Sequence, residues 1–554
     1  FALLAFIIGC SSSDEVPQNA PDASVDASAD LDAAVDAAPP RAVDGLSAPT
    51  TASRDGVVWE VFEVEGVTPP ANPTTGAETP SELNRTRVLR FRADRTPRAE
   101  PSAIVIAMPG FLGGAGSVAP LAEAIVAESL EGDAPVEVWA IDRRSNGLED
   151  LRGMDTAEAS GDPSIAADYY FQRATIDGTP YAGAVRAADV SFQSEWGLRA
   201  HVGDVHRVIA EVPAERRASS VFLLGHSLGA SFAEAYAAWR FEDGSFGTDE
   251  LAGMILVDGS LGGEPIEESV YRDGATGGPI PLTGLDSIRS SSPYVALPLV
   301  GVEALVLAEV LALRAADDPS GVVADAVRSR FFRTLTFTPR AVPPMTNRAA
   351  IGFAFADGYG PLSLFACSMG APDGPTEEYS SPLGGALRRP SDSSVTYDWV
   401  EDTEGAPPIT PIASFSRWFT EGPTNYAEWY FPARLSLDLQ AVGGAAVAED
   451  GWQSDEGLAA FGGASIDVPI LAVATELRTP EDYEAVRDRV GPIGTGRPNE
   501  GLSREDSLAF SVLDVPAMTH LDPTSAPRGA ENPVPRAVFD FVSRIAGAPA
   551  RRAR

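Results

Sequence analysis

Residues 221–232 read VFLLGHSLGASF, and this stretch decides the fold. Four apolar residues run into Gly225-His226-Ser227-Leu228-Gly229, followed by the small-residue run GASFAEAYAA. An apolar strand, a tight turn and a helix form the context in which a G-x-S-x-G pattern carries chemistry. The serine there must occupy a strained turn, and side chains two residues before or after it would strike neighbouring backbone. Glycine at both places removes that clash. Ser227 is therefore the candidate nucleophile. Alone, a serine hydroxyl is weak, so the chain must supply a base, a carboxylate and donors for an oxyanion.

Composition narrows where those groups can come from. The 554 residues contain no lysine, so all 41 basic side chains are arginine. That excludes Schiff-base and pyridoxal-phosphate chemistry, Ser-Lys dyads and the P-loop lysine. A net charge of -38 sets the chain against phosphate backbones, so no nucleic acid is expected as a partner. Only His201, His206, His226 and His520 could act as an imidazole base. The two cysteines, Cys10 and Cys367, make neither a disulfide framework nor a zinc-ligand spacing, and no metal is expected. Cys367, in the apolar LSLFACSMG, reads as an inert packing residue.

The order of segments predicts an α/β fold built on a doubly wound, mostly parallel sheet. GVVWEVFEVEG and TRVLRFRAD alternate apolar and polar residues, as half-buried antiparallel strands do. SAIVIAMPG, PVEVWAIDRRSNG, SVFLLGHS, GMILVDGS, VPILAVATE and AFSVLDVPAMTH are short apolar runs suited to buried parallel strands. Helical stretches lie between them. Residues 261–465 break this rhythm with the apolar helix candidate GVEALVLAEVLAL and aromatic clusters such as SRWFTEGPTNYAEWYFP. They are expected to form a cap inserted between two parts of a core, 51–260 and 466–554.

With its strand-elbow-helix context and a late histidine, the chain resembles the α/β-hydrolase superfamily over roughly residues 55–260 and 465–546. The resemblance implies a base after the last strand, where VLDVPAMTHLDP supplies His520. It implies that His226 points away from the nucleophile, while His201 and His206 sit in a helix with packing or surface roles. The third member should fix the imidazole's tautomer. The resemblance offers Asp258, at the end of GMILVDGS, and as an alternative Glu476, in TELRTPED. Arg478 occupies the position where the acid is usual, and Asp482 reads as a helix-end residue. Leu228 and, in PGFLGGAGS, Phe111 are implied as the oxyanion donors, with Leu112 the fallback. Asp142 and Arg143, in DRRSNG, are implied to be architectural.

The amino end has its own signature. FALLAFIIGCSSSDE is too short to span a bilayer but suits the apolar region of a secretory signal whose start is missing. Ile7-Ile8-Gly9-Cys10 resembles a bacterial lipobox, implying a signal over 1–10 and lipidation of Cys10. Residues 11–50, rich in Ala, Asp, Pro and Ser, are expected to be a disordered tether. Ser11 after the cysteine suggests the outer membrane; without lipidation the chain would be secreted or periplasmic.

Together these readings predict a serine hydrolase that cleaves a small-molecule carboxylic ester through an acyl-enzyme, with no cofactor. Its substrate would be an apolar acyl or aryl ester, and its membrane contact a lipid anchor. Thioesterase, amidase and acyltransferase chemistry use the same machinery. The rival from another class is a non-catalytic envelope lipoprotein that keeps the scaffold for binding.

Overall fold

The computed structural model describes residues 52–547, apart from 96–99, 133, 276–281, 296–300, 326, 329, 331–342, 362, 381–385, 403–407 and 420–424. Cys10 and the 11–50 segment lie outside the described residues. Nine strands form the central sheet: β1 (Ala52–Arg54), β2 (Val57–Glu65), β3 (Arg85–Ala93), β4 (Ala103–Met108), β5 (Val136–Asp142), β6 (Val221–His226), β7 (Gly253–Val257), β8 (Ile470–Ala474) and β9 (Phe510–Asp514). Their spatial order is β1-β2-β3-β5-β4-β6-β7-β8-β9. The first three strands pair antiparallel, and the six from β5 to β9 run parallel.

The pattern of side chains explains the layers. In β4, AIVIAM is buried at every position, as a strand covered on both faces must be. Alternate residues serve opposite faces. Val105 joins one core with Phe222, α1 (Ala119–Glu128) and the last described helix, whose buried side carries Val538, Phe541 and Ile545. Ile104 and Ile106 join the other core with α2 (Leu198–Ala210) and α3 (Leu228–Ala237). Each fully buried aliphatic or aromatic side chain there contributes about 1.5–3 kcal/mol of transfer free energy. At the far edge β9 buries only Phe510, alternates half-buried and exposed residues beyond it, and leaves Val512 exposed.

Between β7 and β8 the described residues add no strand to this sheet. They form short two-stranded ribbons and the long apolar helix α4 (Val302–Asp317). Sheet order, the two helical faces and this long insertion match the α/β-hydrolase fold expected from the sequence. A second excursion was not anticipated. Residues 143–197, between β5 and α2, include helices Arg152–Ser160 and Ser164–Gln172. It packs on the insertion: the Tyr170 ring lies 5.9 Å from that of Trp429, and Val185 N–H donates to the Tyr430 hydroxyl at 2.9 Å. Among the described residues no helix is long and apolar enough to cross a membrane.

Candidate active site

The parallel register brings the ends of β6 and β7 to one level, because His226 stands opposite Val257. The next residue on each strand is Ser227 or Asp258. Ser227 adopts φ 56°, ψ -124° immediately before α3. A β-carbon on Gly225 would collide with the Gly229 carbonyl, and one on Gly229 with the Met108 carbonyl. The two glycines therefore let strand, turn and helix close tightly around the serine. Ser227 N–H donates to Val257 O at 2.9 Å, which ties the turn to β7.

His520 lies six residues beyond β9, in a loop that returns over these strand ends. Its Nδ1 is 2.5 Å from Asp258 Oδ2, and both side chains are buried. A carboxylate only accepts, so the contact places a hydrogen on Nδ1 and leaves Nε2 as the free lone pair. Asp258 itself holds a left-handed φ of 46°, and its N–H donates to Val473 O at 2.9 Å. Its other oxygen, Oδ1, is buried without a hydrogen-bond partner among the described residues. Ser227 Oγ and the His520 ring are not hydrogen-bonded in this conformation, a bond that in such sites often tightens with substrate.

His226 does more than the sequence suggested. Its Nε2–H donates to the His520 carbonyl at 2.9 Å, and the two rings stand 4.7 Å apart. Burial pushes its pKa down to about 3, with the neighbouring His520 acting in the same direction, so it stays neutral. Asp522 holds the same loop. Its carboxylate accepts from Thr519 N–H at 2.8 Å and, within the insertion, from Ser368 Oγ and Thr410 Oγ1, both at 2.6 Å.

The loop after β4 approaches the serine from the other side. Gly110 is so near that a β-carbon on it would stand 3.0 Å from Ser227 Cβ. Among the described residues, the N–H groups of Phe111 and Leu228 donate to no carbonyl or side chain. Leu112 sits at φ 56°, outside the usual range for a bulky residue. Arg143 pins the loop: its guanidinium donates to Pro109 O at 2.6 Å, Gly113 O at 3.1 Å and Gly110 O at 3.3 Å. Asp142 Oδ1 accepts from Ala115 N–H at 2.7 Å, and burial pushes its pKa up to about 6. These contacts are architectural.

The other candidates lie elsewhere. Glu476 is exposed, and it is Asp258 that the structure brings to His520. Asp482 accepts from Thr479 N–H at 2.8 Å, completing a capping box. His201 donates from Nδ1 to Gly197 O at 2.8 Å, and burial holds its pKa near 3. His206 Nδ1 meets the Tyr236 hydroxyl at 3.2 Å. Cys367 is fully buried, and burial pushes its thiol well above the usual range. Sequence reading assigned no role to His226, Asp522 or Glu428. A lone acid inside the apolar run NYAEWYF was the one available signal for Glu428.

With these groups arranged this way, an imidazole could take a proton from a hydroxyl beside two N–H donors left unbonded among the described residues. Neither protein-family models nor curated protein sequences match the chain. Among solved structures it is similar to a candidate lipase from Sulfolobus solfataricus, at 12% identity over 90% of this chain and 99% of that one, with a TM-score of 0.42. It is also similar to the peroxisomal α/β-hydrolase Lpx1 of Saccharomyces cerevisiae, at 8% identity over 90% and 93%, TM-score 0.37. A thermophilic esterase from Thermogutta terrifontis follows at 11% identity over 87% and 99%, TM-score 0.29. What the site does has to come from this chain's own residues.

Proposed function

We propose that the chain is a serine hydrolase that cleaves a carboxylic ester through an acyl-enzyme. The observation that carries the reading is the 2.5 Å contact between His520 Nδ1 and Asp258 Oδ2, beside a serine held in a strained strand-to-helix turn. Ser227 Oγ attacks the ester carbonyl carbon while His520 Nε2 takes its proton. Negative charge then develops on the carbonyl oxygen, where the Phe111 and Leu228 N–H groups stabilise it. Collapse breaks the bond to the alkoxy oxygen, which leaves as the alcohol with the proton from His520. Water, deprotonated by the same nitrogen, attacks the acyl carbon. The acid departs and Ser227 recovers its proton. Asp258 holds the imidazole's tautomer and orientation.

Turnover of a short-chain p-nitrophenyl ester tests this. Ser227→Ala should lower kcat by about 10³-fold or more while the protein stays folded. Retained turnover in that variant would overturn the reading. Cys10 supports a second, separable proposal, that acyl chains anchor the enzyme at the bacterial outer membrane. Cys10→Ala should then shift the protein from the membrane to the soluble fraction, and unchanged membrane attachment would refute the anchor.

A further inference from the structure

The insertion reaches the oxyanion loop along its backbone as well as through a side chain. Gly114 N–H donates to Tyr426 O at 2.9 Å, Gly116 N–H to Asn425 O at 3.1 Å, and Glu428 N–H to Leu112 O at 2.8 Å. Residues 425–428 therefore run beside the loop as a short antiparallel seam, with Gly113 bridged to Ala427. At its end the Glu428 side chain turns inward. Oε2 receives Arg143 at 2.6 Å, and Oε1 accepts from the Ser145 hydroxyl. Arg143 and Glu428 are both buried, and the guanidinium stacks 5.1 Å from the Phe431 ring.

We propose that Glu428 is a positioning residue for the oxyanion site, acting through Arg143. The inference rests on the reading of Ser227 as nucleophile. Arg143 donates from Nη1 and Nη2 to the Pro109, Gly110 and Gly113 carbonyls, which bracket Phe111 on both sides. A guanidinium can hold several acceptors at once only if its own plane is fixed. Glu428 fixes it with a buried, charge-assisted bond, and Ser145 fixes Glu428. Leu112 keeps its unfavourable φ only while its surroundings over-determine it, and its carbonyl is itself held by Glu428 N–H. The insertion thus sets the aim of the Phe111 N–H, a group used only when charge appears on the substrate oxygen. Glu428 touches no reacting atom.

That role separates from a general structural one by kinetics. An interaction made only in the transition state changes kcat and leaves KM alone. Glu428→Gln should lower kcat for the p-nitrophenyl ester by ~10- to 100-fold, with KM within about two-fold of the parent. Asp438→Asn is the control. It removes another buried acid of the insertion, bonded to Leu198 N–H at 2.8 Å and the Tyr271 hydroxyl at 2.7 Å rather than to the seam or the loop, and should leave kcat unchanged. Should Glu428→Gln fail to fold, Ser145→Ala removes only the hydroxyl that orients the carboxylate, and kcat should fall by ~3- to 10-fold. A folded Glu428→Gln or Ser145→Ala with parental kcat would overturn the proposal, as would an equal loss in Asp438→Asn. A parent without Ser227-dependent turnover would instead sink the nucleophile reading on which the proposal rests.

Discussion

Leu112, Ser227 and Asp258 are non-glycine residues held at positive φ; Ser227 and Asp258 directly follow β6 and β7, and Leu112 lies in the loop after β4. Each such conformation costs about 1–3 kcal/mol, and it persists where the surroundings leave no alternative. Here those surroundings are the register of β4, β6 and β7 and the seam from the insertion. Ser227 was legible because its requirements are local: an apolar strand, two glycines and a helix within twelve residues. His520 was legible by scarcity, being the one histidine after the last apolar strand. The acid was not, since Asp258 and Glu476 both follow buried strands and only the lateral order of β7 and β8 tells them apart. The structure puts Asp258 at the imidazole and Glu476 in solvent. Asp258→Asn should therefore lower kcat by about 10³- to 10⁴-fold, while Glu476→Gln stays within about two-fold. Steady-state ester kinetics on the two variants decide it, and equal activity in both would remove Asp258 from the mechanism.

At the scale of elements, the insertion does not sit over the sheet as a detached lid. One of its segments zips to the loop after β4, and Ser368 and Thr410 hold the His520 loop through Asp522. The seam was not visible in the sequence, because backbone groups about three hundred residues apart make it and leave no side-chain pattern, and the Asp522 contacts join polar side chains 154 and 112 residues apart. The helix α4 was legible as an apolar stretch, but its one buried acid was not assigned a role. Glu309 faces the Trp429 indole, and burial pushes its pKa up to about 8. Unfolding returns it to an ordinary carboxyl near 4.5. Between those values the folded state binds more protons than the unfolded one, so stability falls as pH rises. Above about 8 the loss is complete and levels off. Glu309→Gln, neutral throughout, should gain on the parent across that window, by at most about tenfold in the unfolding constant per pH unit. Denaturant unfolding of both proteins between pH 5 and pH 9 tests this, and a constant difference would contradict it.

Across the whole molecule, arginine does the internal fastening that no lysine is present to share. Arg143 pins the loop after β4, and buried Arg504 donates to the carbonyls of Val468, Ala509 and Ile466 around the start of β8. A planar guanidinium with five donors suits such multiple contacts better than an ammonium. The doubly wound sheet could be read ahead of the structure because strand and helix periods are local properties. The excursion at 143–197 and the course of the insertion could not, since aromatic clusters such as NYAEWYF fit any packed surface. The site itself exists only when Phe111, Ser227, Asp258 and His520 converge from regions that span most of the chain. Fluorophosphonate labelling measures that convergence directly, because phosphorus captures Ser227 Oγ, with loss of fluoride, only when base and oxyanion donors are in place. The folded protein should acquire one adduct, located by peptide mass on Ser227, and neither the denatured protein nor Ser227→Ala should acquire it. A folded protein that remains unlabelled, or an adduct on another residue, would contradict the account.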